Sequence, residues 1–404
     1  MPGYALDAIV DVPEFEHTRD GGTVTIGRTE RDVFLSIPPV GLDVLRALAA
    51  GQTVGEVQRE YRARHGDALD VPEFLDALAA EGFLDTGAAA PGRRRRGSDL
   101  PWLSAAAARR LVGGPALTLY GAVIALGVGL LVLDPALYPG PTVLLYPAHF
   151  AALTWATIAL TLLGVAIHEL AHVVAARAAV VPARVTIGTQ IYVLVAQTDM
   201  SGIRLAPRRD RYVAFAIGAV IDAVSTALLI CLRWAAERHR IDLPDWAVQL
   251  AGGLMISYTT RLLWQTFLFV RTDGYYILST ALRCPSLLGD TEAYLHNWLV
   301  RLRLGRRPVD QSAVPARELA VIRWYAVLWL LGRIAAILVL VFLGLPVLGG
   351  YLYQTYLLLT GQPTRMTSLD FATVAAIVLV FDFGGVYVWV FGHLRRLRRL
   401  LTSG

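Results

Sequence analysis

Six apolar runs, each long enough to cross a lipid bilayer, set the strongest limit on how this chain can fold. A membrane-spanning helix needs about 20 consecutive, mainly apolar residues. The runs cover residues 111–133, 150–178, 211–232, 246–270, 320–349 and 370–392. We therefore predict a mainly α, polytopic membrane protein with about six transmembrane helices.

The overall composition fits this class of protein. Of the 404 residues, 55% are hydrophobic and 17% are charged, and the mean hydropathy is +0.51. Soluble domains usually contain about a quarter charged residues. The composition therefore excludes a disordered, fibrous or highly charged protein.

The distribution of arginine predicts how the spans are oriented. All basic side chains are arginine, and the formal net charge is +5. Clusters lie before the first run, between the second and third, between the fourth and fifth, and after the sixth, whereas the other loops hold few arginines. Cytoplasmic loops carry the positive excess in membrane proteins. We expect a multi-pass protein of the cell membrane with both termini in the cytoplasm.

The first 86 residues lack apolar runs and predict a small soluble domain. Alternating patterns at Thr23–Gly27 and Asp32–Ile37 indicate two strands. Helices are predicted near residues 41–50, 53–65 and 70–81, and capping boxes begin the last two. We expect an α+β winged-helix-like domain over residues 1–86, a basic linker over 87–110 and a membrane domain over 111–404.

The second apolar run contains the motif His168-Glu169-Leu170-Ala171-His172. A spacing of four places both imidazoles on one face of a helix, where they can share one Zn²⁺ ion. The glutamate between them is placed to act as general base. The alternative is a histidine pair at a helix end with a snorkelling glutamate. Ionisable residues inside a span are costly and usually functional, which favours the metal site.

A third ligand is expected from Asp273, just after the fourth run. An Asp-Gly pair alone would indicate only a turn. In the predicted topology the second and fourth runs cross in the same direction, so Asp273 and the histidine pair both lie toward the cytoplasmic side. We predict one zinc ion held by His168, His172 and Asp273, with Glu169 as the catalytic residue.

These motifs resemble the site-2 protease group of intramembrane zinc metalloproteases, over roughly residues 150–280. The resemblance implies a zinc-dependent endopeptidase in which the same four residues have these roles. The typical Leu-Asp-Gly is Thr272-Asp273-Gly274 here. A Gly-Pro-x-x-Asn-like motif corresponds to Gly218–Asp222, without the proline or the asparagine. Asp222 is therefore open to two interpretations, a substrate contact or an ion pair.

The N-terminal domain resembles PqqD-type peptide-recognition domains, which occur with ribosomally made peptide natural products. That resemblance implies contact between a leader peptide and the edge of the small sheet. A winged-helix unit that binds DNA or another protein is the alternative. Acidic side chains offset the arginines of this domain and leave no basic stripe for phosphates, so we expect no nucleic-acid partner.

Together the two resemblances imply removal of the leader from a ribosomally made precursor peptide in or near the bilayer. Two alternatives stay open. One is a protease that cleaves membrane-bound regulatory proteins. The other, of a different class, is a noncatalytic membrane protein for peptide export or immunity, in which zinc is structural.

Three further expectations concern the membrane domain. Charges at matching predicted depth indicate two interhelical ion pairs, Asp222 with Arg261 and Arg333 with Asp382. The segment Arg184–Met200 is too short and polar for a span, and its alternation predicts a membrane-associated β-hairpin close to the site. An edge of that hairpin could pair with an extended substrate. The alternative is a plain cytoplasmic hairpin that lies over the helices.

Overall fold

Our computed structural model of the chain describes residues 4–20, 23–28, 31, 33–65, 70–85, 99–140, 143–144, 149–190, 193–303, 307–312, 314–339, 341–342, 349, 353, 356–362 and 367–377. Helices predominate, with two small sheets. The chain divides into two compact units. The first consists of Met1–Ala108, Ala176–Arg184 and Asp199–Ala214, and the second of Arg109–Ala175, Val185–Thr198 and Phe215–Gly404.

A three-stranded antiparallel sheet begins the first unit. Its strands are β1 (Glu16–Asp20), β2 (Thr23–Arg28) and β3 (Val33–Ile37), in the order β1-β2-β3. The two predicted strands correspond to β2 and β3. Strand β1 is an addition to the prediction, because its sequence Glu-His-Thr-Arg-Asp has no apolar alternation to reveal it.

Three helices follow the sheet and cover one of its faces. They are α1 (Pro39–Ala49), α2 (Val54–His65) and α3 (Val71–Ala80). Val24 and Ile26 of β2 are fully buried in one cluster with Leu42, Leu45 and Leu75 of the helices. Burial of this apolar surface is the main force that holds the sheet and helices together.

The predicted capping box is confirmed at the start of α2, and at the start of α3 the N-cap half of the predicted box is present. The Thr53 hydroxyl accepts from the Glu56 N–H at 3.3 Å, and the Glu56 carboxylate accepts from the Thr53 N–H at 2.8 Å. Asp70 accepts from the Glu73 N–H at 3.1 Å. These side chains satisfy N–H groups that have no partner within the helix.

Helices of the second unit are apolar enough for a membrane. In the described part of the chain, four helical segments have the length and composition needed to cross a membrane. The first, Ala105–Leu133, consists of α4 (Ala105–Val112) and α5 (Gly114–Leu133). The others are α6 (Phe150–Ala178), α7 (Arg208–Glu237) and Ala316–Leu338 of α11 (Ala316–Val339). They coincide with the first, second, third and fifth predicted spans, which indicates a membrane protein.

The other two predicted spans differ from these four. The fourth run forms the helix α8 (Asp245–Gln265), which lacks a stretch apolar enough to meet these limits and is not among the four. In the sixth run the structure shows α12 (Ser368–Ile377), and the remainder of that run lies outside the described residues. The total of six spans therefore stays a prediction.

Shorter elements complete the second unit. The predicted hairpin is present as β4 (Arg184–Gln190) paired with β5 (Val193–Asp199). After α8 come α9 (Asp273–Leu282) and α10 (Leu287–Arg301). The helix α4 begins at Ala105, within the predicted linker, and residues 86–98 lie outside the described part of the chain.

A buried arginine ties the end of the N-terminal domain to its sheet. Arg28, at the end of β2, is 8% exposed, donates to the Phe83 carbonyl at 2.8 Å and pairs with the Asp85 carboxylate at 3.1 Å. Arg31 also pairs with Asp85. The hydrogen bond from Arg28, together with the two positive charges, lowers the pKa of Asp85.

Substitution of Asp85 by Asn should weaken this tie at neutral pH. Because the folded-state pKa is lowered, the contribution of Asp85 is present above its unfolded pKa and is lost as the pH falls through the folded value. Asp85 is 46% exposed, so solvent screening limits the loss to about 0.5–1 kcal/mol. Amide hydrogen exchange in β2 should quicken about two- to fivefold.

The exposed residue Asp43 provides the control, since Asp43→Asn should leave exchange in β2 unchanged. Variant and parent are compared at equal pH, so that intrinsic exchange rates cancel. The Asp85→Asn effect should shrink as the pH falls below the ordinary Asp pKa of 3.8. An effect of equal size at pH 3 and pH 7 would contradict the ion-pair explanation.

Candidate metal centre

Helix α6 places two histidines on one buried face. His168 and His172 are four residues apart, are 4% and 2% exposed, and have ring centroids 4.9 Å apart. Glu169, next to His168, is also buried. The arrangement follows directly from the helical repeat, which brings residues i and i+4 to the same side.

Asp273 reaches the same point from the start of α9. Its carboxylate Oδ2 lies 3.2 Å from His168 Nε2 and 3.3 Å from His172 Nε2. The Thr272 hydroxyl caps α9 by accepting from the Tyr275 N–H, and Gln265 Oε1 accepts from the Asp273 N–H at 3.1 Å. These contacts fix where the first turn of α9 begins and therefore where Asp273 lies.

Gly274 is required beside Asp273 for a steric reason. A Cβ atom at this position would collide with the Gln265 carbonyl oxygen, a backbone atom that cannot move aside. Only glycine lets α9 start this close to the end of α8. The Asp-Gly pair is thus explained by packing at a helix start rather than by a free turn.

Three side chains bring possible ligand atoms together. In the described part of the chain, His168, His172 and Asp273 form a group whose ligand atoms all lie within 4.8 Å of one another. Two imidazole nitrogens and one carboxylate oxygen are a donor set that suits zinc and related divalent metals.

The hydrogen bonds around this group also favour a cation. The Nδ1 atom of His168 lies 2.8 Å from Asp222 Oδ2, and a carboxylate can only accept, so Nδ1 carries the proton. In a neutral imidazole the Nε2 atom of His168 presents a lone pair to Asp273 Oδ2, a buried atom. Those two acceptors, 3.2 Å apart, would repel each other, and either a proton on Nε2 or a metal cation relieves the repulsion.

Gly218 of α7 keeps the space in front of the histidines open. A Cβ atom there would lie 2.5 Å from His172 Nε2 and closer still to His168 Nε2. Any larger residue would therefore collide with both imidazoles. In donor type and spacing, these residues fit a bound divalent ion.

Asp222 and Arg261 lie directly behind His168. Arg261 Nη2 is 2.8 Å from Asp222 Oδ1, which confirms the predicted ion pair between α7 and α8. The contact between Asp222 and His168 was not predicted. The sequence signal that points to this contact is the spacing of four residues between Gly218 and Asp222, which places both on one face of α7.

The second predicted ion pair cannot be assigned a geometry, because Asp382 lies outside the described residues. The guanidinium of Arg333 lies 4.4 Å from the centre of the Trp329 ring. A cation over an aromatic face is favourable and accounts for the placement of this arginine on α11.

Thr198 of β5 connects the hairpin to Glu169. Its hydroxyl lies 2.7 Å from Glu169 Oε2 and 3.1 Å from the Glu169 carbonyl oxygen. The sequence predicts a hairpin near the site but does not single out Thr198, because a threonine in an alternating strand carries no distinguishing pattern.

The structure thus brings His168, His172 and Asp273 together, with Glu169 adjacent in the chain and Asp222 and Arg261 behind. No family model, curated protein or solved structure matches the chain.

If His168, His172 and Asp273 bind zinc, replacement of Gly218 by Ala should weaken that binding. The added methyl group overpacks the centre, which costs about 1–3 kcal/mol and weakens Zn²⁺ binding roughly 5- to 150-fold. Zinc affinity is measured by chelator competition on the purified protein. Gly121→Ala on α5 is the matched control, because a Cβ there meets nothing within 4 Å. Equal zinc affinity in both variants would rule out a metal at this position.

Proposed function

We propose that this chain is a zinc-dependent intramembrane endopeptidase. The proposal is supported above all by the convergence of His168, His172 and Asp273, with Glu169 next to them, on a helix apolar enough to cross a membrane. His168 and His172 would hold zinc through Nε2 and Asp273 through Oδ2. When bound, zinc supplies a Lewis acid that polarises a peptide carbonyl and lowers the pKa of water.

Glu169 is proposed as the general base and acid. Its carboxylate accepts a proton from the attacking water and returns it to the amine of the leaving peptide. The Thr198 hydroxyl donates to Glu169 Oε2 and restrains the direction of this carboxylate. A structural zinc site has no use for such a base, which argues against the noncatalytic export or immunity alternative.

The hairpin β4–β5 is proposed as the surface that receives the substrate. In the part of the chain that the structure describes, β4 and β5 form a two-stranded sheet, and the proposal places the peptide at an outer edge of it. A helical substrate hides its carbonyl groups in its own hydrogen bonds, whereas a strand added to an edge exposes alternate ones. Because β5 contacts Glu169 through Thr198, a peptide held at this hairpin lies close to the base.

The N-terminal domain is proposed to recognise the leader of a ribosomally made precursor peptide, in the manner of PqqD-type domains. Among the described strands, β2 lies in the centre of the sheet and β1 and β3 lie at its edges. The helices α1–α3 cover one face of the sheet, and the proposal places the leader at an edge. A protease of membrane-bound regulators is the alternative, and we propose no nucleic-acid partner.

The wider architecture completes the proposal. We propose six spans, a winged-helix-like N-terminal domain and a cell-membrane location with both termini in the cytoplasm. The arginine distribution and the four apolar helices support this arrangement.

Replacement of Glu169 by Gln should preserve zinc binding and abolish cleavage. Loss of a general base lowers turnover by about 10²–10⁴-fold, while the three ligands are untouched. The assay incubates the protein in lipid nanodiscs with candidate precursor peptides and follows the products by mass spectrometry. Glu292→Gln on α10 is the control, since this glutamate is exposed. Turnover at the parent rate in Glu169→Gln would remove the protease proposal.

Leader recognition by strand addition predicts a periodic effect of backbone methylation. Edge pairing uses the N–H groups of alternate peptide residues, because successive groups point to opposite sides. N-methylation of one alternate set in the leader should abolish binding, and methylation of the other set should leave it within about twofold. Fluorescence anisotropy with labelled leader peptides measures both. Equal weakening by the two sets, or by neither, would contradict pairing at an edge.

A further inference from the structure

A continuous chain of polar contacts lies on the side of His168 opposite the metal ligands. It runs from His168 Nδ1 to Asp222 Oδ2 at 2.8 Å, and from Asp222 Oδ1 to Arg261 Nη2 at 2.8 Å. Asp222 is fully buried. Arg261 Nη2 also donates to the Gly164 carbonyl oxygen at 3.2 Å. Three helices, α6, α7 and α8, are therefore joined at this point.

The contacts of Asp222 leave it poorly suited to bind substrate. One carboxylate oxygen faces His168 and the other faces Arg261, so neither is directed toward the side where a peptide would lie. A group that stabilises a developing oxyanion must donate hydrogen bonds. An ionised carboxylate can only accept them, and its charge would repel the oxyanion. The contacts of Asp222 therefore favour an ion pair over a substrate contact.

The same contacts are well suited to orient His168. An acceptor at Nδ1 fixes the tautomer in which Nε2 carries the lone pair, and it also fixes the rotation of the ring. Arg261 holds Asp222 in place and balances its charge in an apolar region. Gly164 lies one helical turn before His168, and a Cβ there would lie 2.9 Å from Arg261 Nη1, so this arginine also fits closely against the backbone of α6.

We propose that Asp222 and Arg261 are positioning residues of the metal centre, which act on the ion through His168. Asp222 sets the tautomer and angle of the imidazole, and Arg261 fixes Asp222 and the adjoining turn of α6. The proposal rests on the metal site of the proposed function and not on the cleavage reaction. It predicts that both residues control zinc affinity although neither is a ligand.

Zinc affinity is the measurement that tests this role. Chelator competition on the purified full-length chain should show about 10–100-fold weaker binding in Asp222→Leu, which is the range for loss of an outer partner of a ligand histidine. Arg261→Met should also weaken binding, because the carboxylate loses its anchor. Asp245→Asn, an exposed acidic residue on α8, is the control and should bind zinc as the parent does.

The double variant Asp222→Leu, Arg261→Met separates positioning from simple stability. Each single variant leaves one buried charge without its partner, whereas the double variant removes both charges and can fold as well as the parent. Folding yield and thermal unfolding should therefore recover in the double variant. Zinc affinity should stay weak, because His168 Nδ1 still lacks its acceptor.

Recovery of zinc affinity together with stability would overturn the proposal, since the effect would then be structural. Unchanged affinity in a folded Asp222→Leu variant, with a raised KM for peptide, would overturn it in favour of substrate binding. A parent protein that binds no zinc would overturn both this proposal and the proposed function. A parent that binds zinc but cleaves no peptide contradicts the protease alone, and the affinities of the variants still decide the role of Asp222.

Discussion

The helices α6, α7 and α9 meet at the imidazole of His168. One ring nitrogen faces a carboxylate from α7, and the other faces a carboxylate from α9. Because a neutral imidazole has one donor and one acceptor, the two carboxylates cannot be satisfied in the same way. The Asp222 side is satisfied by the imidazole proton. On the Asp273 side a neutral ring leaves two facing acceptors, a contact that a proton on Nε2 or a metal cation would satisfy.

The burial of charge explains why the neighbouring positions are so restricted. Each ionisable group within the apolar helices needs a partner, since an isolated charge there is strongly unfavourable. Arg261 pairs with Asp222. Gly218 lets α7 lie close to the histidines, and Gly274 lets α9 begin close to the end of α8, which brings Asp273 to the histidines. The residues that surround the site are therefore set by electrostatics and by steric limits at the same time.

The sequence predicts those residues of the site that follow the helical repeat or that place a charge in an apolar segment, where it is unfavourable. The His168–His172 pair follows from helical spacing, and the Asp222–Arg261 pair follows from the expense of charges in apolar runs. It could not find the contact between Asp222 and His168, because the rotation of α7 against α6 depends on packing over the whole interface. Thr198 was missed because one polar residue in a strand is common.

The elements of the fold likewise differ in how well the sequence predicts them. Long apolar helices were predictable because their signal extends over about 20 residues. Strand β1 was missed because its five residues are polar and lie at a sheet edge, where no buried face imposes alternation. Its pairing is determined by β2, whose register aligns Glu16 with Gly27 and Asp20 with Thr23. A strand specified by its neighbour leaves little trace in its own sequence.

The lower hydropathy of α8 has a functional explanation. This helix contributes Arg261 to Asp222, and Gln265 at its end accepts from the Asp273 N–H. Tyr258 lies one turn before Arg261, with the guanidinium 5.2 Å from its ring centre. All three polar side chains contact the candidate metal centre or the residues next to it. Polar side chains at a buried site lower the hydropathy of the helix that carries them, which is one reason that α8 has a weaker apolar signal than the four helices long and apolar enough to cross a membrane.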